Sequence, residues 1–242
     1  LVLGVIMQLY DLFESYLKNN IYVGDYYSFF ADKYADKIKQ NFDDNINCRK
    51  IYPQEIYDEK PLFINQFVVN EYKENKWVDV HKEPLFINEI RKDFWEIADS
   101  LGANLYDINI IRSCKTLKPS ARGTLKKDGY ASETWHWDNN PDFVFKIMIY
   151  LNDITEKQGP FEYKYPIEYK EHDNSDRNSR INISEVGKKV VGKKGTTIIF
   201  PTNIVHKGNY VRKGYRDVII ASMILPIGYR PQLQPRPEEI RT

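Results

Sequence analysis

Near Tyr106 the apolar residues change period, and that change constrains the fold more than any other feature of the chain. Upstream the spacing is helical. Between 84 and 101, Phe86, Ile90, Phe94, Ile97, Ala98 and Leu101 recur at intervals of three or four, Pro84 suits a first turn and Gly102 a C-terminal stop. A second helix is expected over 26–42. Downstream come eight short β-rich runs separated by Gly, Pro, Asn and Asp, at 107–113, 130–138, 143–151, 160–165, 188–191, 196–200, 205–211 and 216–225. No helix-length crossover divides these runs, so the strands should pair antiparallel in a sandwich or jelly roll and not in a parallel sheet. The expected class is mainly β with flanking helices (α+β). One domain spans 1–242: a mainly helical support region over 1–105, a β core over 106–226 and a Pro-rich tail over 227–242.

Two further segments bear on organisation. The pentapeptide PLFIN occurs at 61–65 and again at 84–88, but the flanking residues do not match, so it reads as coincidence and not as a repeat. The stretch 164–185 is long and polar, the character of a loop that covers a site.

Charge removes two broad functions. With 35 basic and 34 acidic side chains the net charge is +1, so no overall field draws the chain to nucleic acid or to an anionic membrane. The balance conceals an asymmetry, since the first 105 residues carry 12 basic and 18 acidic side chains and the remainder 23 and 16. Cys48 and Cys114 form neither a disulfide framework nor a metal pair, and the apolar opening lacks the basic flank and length of a signal core. The expectation is a soluble, cytoplasmic protein.

Four histidines are present. His81 and His172 have the polar neighbours of surface residues. His136 is different: in Trp135-His136-Trp137-Asp138 the two-residue period of a strand puts His136 and Asp138 on one face and both tryptophans on the other, where they would pack between sheet and helices. An imidazole and a carboxylate side by side can share a metal. His206, at the start of another expected strand, is the candidate third ligand. Two histidines and one carboxylate leave open positions, as in ferrous oxygenase sites. Zinc accepts the same set, although no Glu at motif spacing offers the base of a hydrolase. Ten residues after His206, Arg216 opens an otherwise apolar run. A guanidinium there needs a carboxylate, which a 2-oxo diacid would supply while chelating the metal; a rim pairing with Asp217 is the plainer alternative.

The ordered set His136-x-Asp138, Tyr150-Leu151-Asn152-Asp153 with Gly159-Pro160-Phe161, Gly195-Thr196-Thr197-Ile198-Ile199-Phe200, His206 and Arg216 resembles the Fe(II)/2-oxoglutarate-dependent dioxygenases, and among them the phytanoyl-CoA dioxygenase-like branch. The resemblance covers 107–225. It implies a double-stranded β-helix (jelly-roll) core with the helical first half packed against it. It also implies Fe(II) on His136, Asp138 and His206, 2-oxoglutarate on Arg216, and O2 as cosubstrate. The implied reaction hydroxylates a small molecule and releases succinate and CO2. The chain departs from the branch after Phe161, where Glu162-Tyr163-Lys164 replaces the usual Gly-Ser-His ending. Asp138 is kept, whereas related halogenases replace it with a small residue.

Lys146 interrupts an apolar strand and shares a face with Tyr150, so both are candidates to touch the cosubstrate, with snorkelling as the alternative for the lysine. Asn109 and Arg112 on the first core strand are weaker candidates. Lys115, Lys118, Arg122, Lys126 and Lys127 precede the His-x-Asp strand; they would attract an anionic substrate at a site mouth, or merely be solvated. Competing readings are a catalytically silent, cupin-like jelly-roll binder and a prolyl-hydroxylase- or JmjC-like oxygenase acting on a protein.

Overall fold

A computed structural model describes residues 21–48, 62–65, 70–73, 76–79, 86–114, 135–138, 140, 144–170, 179–180 and 186–225. The basic segment after Cys114, His81, His172 and the Pro-rich tail lie outside them. Helix α1 spans Ser28–Cys48. It buries Phe30, Ala31, Tyr34, Ala35, Ile38 and Phe42, one stripe at helical spacing. Helix α2, Phe86–Ser100, buries Ile90, Phe94, Ile97 and Ala98. It ends as its sequence predicts: Gly102 takes a φ of 60° and the Ala103 amide donates to the Ala98 carbonyl. Phe30 stacks on Phe94 at 4.5 Å, and Lys33 and Tyr34 both donate to Asp93, so the helices are pinned to each other.

The strands form two antiparallel sheets. The larger contains β1 (Tyr22–Gly24), β2 (Leu62–Asn65), β5 (Asn104–Cys114), β7 (Val144–Tyr150), β11 (Thr197–Pro201) and β13 (Tyr215–Ile224), in the order β1-β11-β7-β13-β5-β2. The smaller contains β6 (His136–Trp137), β8 (Phe161–Tyr163), β9 (Ser179–Arg180), β10 (Lys188–Val190) and β12 (His206–Gly208), in the order β10-β8-β12-β6-β9. A separate hairpin joins β3 (Asn70–Lys73) to β4 (Lys76–Asp79). From β5 to β8 the chain alternates between sheets, and from β10 to β13 it does so again. That is jelly-roll connectivity.

Period two divides the side chains of the larger sheet. One face, with Phe145, Ile147, Ile149, Ile199, Ile219 and Ala221, packs on the helices; the other, with Met148, Tyr150, Ile198, Phe200, Val218 and Ile220, packs toward the smaller sheet. Each fully buried Ile or Phe contributes roughly 1.5–3 kcal/mol relative to exposure. Both faces of these strands are therefore apolar, and their sequences read as near-continuous hydrophobic runs.

Three segments bear on the sequence expectations. Among the described residues of 1–105, four short strands that the periodicity did not show accompany the two helices. At three or four residues each, their sequences are too short to carry a period. The two copies of PLFIN part company, since Leu62–Asn65 is a strand beside β5 while Phe86 opens α2, so neighbours and not the shared residues select the conformation. The polar stretch 164–185 is not one free loop. The amides of Lys164 and Lys170 donate to Val205 and Asn203, and β9 pairs with the strand that holds His136. No described helix is long and apolar enough to cross a membrane.

Candidate metal centre

His136 and His206 are cross-strand partners on β6 and β12 of the smaller sheet, and Asp138 follows β6 with its amide bonded to the Thr202 carbonyl. The sheet order brings together three residues that the sequence separates by up to 70 positions. Their ligand atoms all lie within 4.8 Å of one another. Asp138 Oδ1 is 3.7 Å from His136 Nε2, and Oδ2 is 3.8 Å from His206 Nε2. Both imidazoles are buried, and the rings of Phe161 and Phe200 stand 5.5 and 5.2 Å from that of His206.

The hydrogen bonds prepare the donors. His206 Nδ1 lies 2.8 Å from the Ile204 carbonyl, which can only accept; Nδ1 therefore carries the proton and Nε2 presents its lone pair to the cluster. Burial pushes the His206 pKa down to about 3, with the His136 charge adding to it, so the ring is neutral at ordinary pH. Burial alone would raise the Asp138 carboxyl, but Lys146, His206 and His136 outweigh it and hold the group well below the usual carboxylate range. The His136 ring, a neutral His206 imidazole and an ionised carboxylate, with the carboxylate oxygens 3.7 and 3.8 Å from the two ring nitrogens, suit a divalent transition metal with positions left open.

The remaining sequence candidates occupy the larger sheet. Lys146, Tyr150, Arg216 and Asn109 all project from its inward face, since Lys146 pairs with Ser222, Tyr150 with Val218, Asn109 with Ile220 and Arg216 with Ser113. Lys146 Nζ reaches across to Asp138 Oδ2 at 2.6 Å. The Tyr150 hydroxyl donates to the Val190 carbonyl and accepts from the Phe161 amide, and burial pushes its pKa up to about 12. Arg216 donates through Nη1 to the Gly159 carbonyl and through Nη2 to Ser113 Oγ at 3.2 Å. Gly159 has a φ of 72°, and a Cβ there would stand 2.3 Å from the Asn209 carbonyl oxygen. The Gly-Pro turn thus seats the arginine.

Two sequence expectations are overturned. Arg112 does not reach the interior: it is three residues from Asn109 on one strand and so faces the helices. There Nε and Nη2 donate to Asp217 at 2.7 and 2.6 Å, Nη1 donates to Asp43 at 2.5 Å, and the guanidinium lies over the rings of Phe42 and Tyr215. Asp217 is consequently the partner of Arg112 and not of Arg216. Trp135 does not pack against helices; Lys207 lies over its ring at 4.4 Å on the smaller sheet. The period-two rule placed it opposite His136 but could not say what covered that face. Ser113, the Gly159 carbonyl and the phenyl walls around His206 had no sequence signal beyond the Gly-Pro pair.

Facing antiparallel sheets with a His-x-Asp on one strand and a second histidine directly across from it define a jelly-roll protein with a cluster of three residues that could hold a metal ion. No family model and no curated protein matches the chain. Solved structures do. AviO1 from Streptomyces viridochromogenes Tue57 superposes with a TM-score of 0.51 at 12% identity, covering 94% of this chain and 97% of that one. EvdMO1 gives 0.53 at 15% identity over 89% of this chain and 50% of its own. The epimerase SnoN, crystallised with Fe3+, alpha ketoglutarate and nogalamycin RO, gives 0.53 at 11% identity over 90% of this chain and 84% of its own. At these identities the likeness establishes a shared fold.

Proposed function

We propose that the chain is an Fe(II)- and 2-oxoglutarate-dependent oxygenase that hydroxylates a small-molecule substrate, with release of succinate and CO2. The observation that carries this reading is the convergence of His136, Asp138 and His206 within 4.8 Å, below the sheet face that bears Arg216. The fold shared with SnoN, a protein crystallised with Fe3+ and alpha ketoglutarate, supports it. Iron would be held by the three ligands and, with 2-oxoglutarate, would supply the oxidative chemistry. Each part of the chain then has a role. His206 offers Nε2 because Ile204 fixes its tautomer. Arg216 offers a fork already oriented by Gly159 and Ser113 to the far carboxylate of the cosubstrate. Tyr150, Lys146 and Asn109 line the same face as further cosubstrate contacts. Phe161 and Phe200 exclude water around the histidines. The basic segment after Cys114 would favour an anionic substrate.

Anaerobic addition of Fe(II) and 2-oxoglutarate tests this. A visible metal-to-ligand charge-transfer band is expected in wild type and should be lost in His136→Ala. Absence of the band in wild type sinks the assignment and leaves the silent jelly-roll binder.

A further inference from the structure

We infer that Lys146 is a positioning residue for the metal carboxylate: its ammonium holds one oxygen of Asp138, so that Asp138 offers a bound metal a single oxygen. The inference rests on the metal-centre reading above and adds to it a rule for how the site is loaded.

The contact joins the two sheets. Lys146 lies in the middle of β7 on the larger sheet, between Phe200 and Ser222 on the neighbouring strands, while Asp138 follows β6 on the smaller one. Nζ to Oδ2 is 2.6 Å, with the two side chains 21% and 13% exposed. A pair on the outer surface would be worth little. Here both ends lie in the interior between the sheets, where water screens them weakly and the lysine stem is fixed among apolar neighbours. Lys146 donates to the Asp138 carboxylate and the Asp138 amide is held by the Thr202 carbonyl, so the lysine sets the rotation of the carboxylate. Oδ2, 3.8 Å from His206 Nε2, is the oxygen engaged by the lysine, and Oδ1, 3.7 Å from His136 Nε2, is the one left to a metal.

Two consequences follow. A carboxylate held through one oxygen cannot wrap a metal with both, which keeps positions open opposite the histidines. The lysine charge also lies within a few ångströms of any divalent cation on the same carboxylate and opposes it, so metal affinity is lower than the three ligands alone would give. A lysine serving only as a cosubstrate ligand would do neither.

Co(II) alone, without cosubstrate, is the probe. It is titrated into wild type, Lys146→Met, Lys146→Gln, Lys146→Arg and His136→Ala, with affinity read by chelator competition and coordination by the visible absorption of the ion. Both neutral variants should bind Co(II) about tenfold more tightly than wild type, with altered band intensity from the second carboxylate oxygen. Lys146→Arg, which keeps charge and donor, should stay within about twofold in affinity and keep the wild-type spectrum. The pair of neutral variants guards against one that misfolds. Unchanged or weaker Co(II) binding with a wild-type spectrum overturns the inference, as does a loss confined to 2-oxoglutarate affinity. If wild type binds Co(II) no better than His136→Ala, the metal-centre reading fails first and takes the inference with it.

Discussion

His136 and His206 face each other directly across β6 and β12, their ring centroids 4.4 Å apart, so the two imidazoles of the candidate centre are fixed by one antiparallel register. Loss of either ring should remove the centre without unfolding the sheet. His206→Ala is expected to weaken Co(II) or Ni(II) binding more than about 100-fold with a near-wild-type circular dichroism spectrum. Isothermal titration decides it; retained affinity would mean that the ligand set is wrong.

Acid should destabilise the metal-free protein through His206. Its folded pKa is depressed to about 3, below its unfolded value near 6.5, so between these values the unfolded chain binds the extra proton. The stabilisation is therefore whole above pH 6.5 and is lost as pH falls toward 3, by at most about 1.4 kcal/mol per unit. Urea midpoints of metal-free wild type should decline over this window, and His206→Asn should flatten the decline.

Arg216 should govern the cosubstrate and not the metal. Its fork rests on the Gly159 carbonyl and Ser113 Oγ. Arg216→Met is expected to weaken 2-oxoglutarate binding at least about tenfold while Co(II) affinity stays within about twofold. Equal loss of both would point to a structural collapse instead.

Arg112 and Asp217 should matter to stability alone. They form a two-pronged pair, 2% and 3% exposed, on the helix side of the sheet. Asp217→Asn leaves a buried guanidinium with only Asp43 and should cost about 3 kcal/mol by urea denaturation. Replacing both partners with apolar residues of similar volume should cost far less, because no charge is then stranded.

How much of this was legible beforehand depended on the range of the interaction. The period of two that set His136 beside Asp138, and Lys146 beside Tyr150, is a property of the chain within four residues, and the structure keeps both pairs on common faces. The α2 stripe and its Gly102 stop were equally local. The jelly-roll core was readable because eight short runs without crossovers admit few topologies. The short strands before residue 105 went unread, since polar segments such as β3 and β4 leave no apolar signature.

What the sequence determined by itself is which side chains share a face within the longer strands and helices. It could not determine which faces meet. That His206 lies opposite His136, that Lys146 reaches Asp138 from the other sheet, and that Asp217 turns to Arg112 while its neighbour Arg216 turns inward all follow from sheet order and register. The copies of PLFIN show the same limit, because backbone preference among such residues is worth less than the packing and pairing that each copy finds.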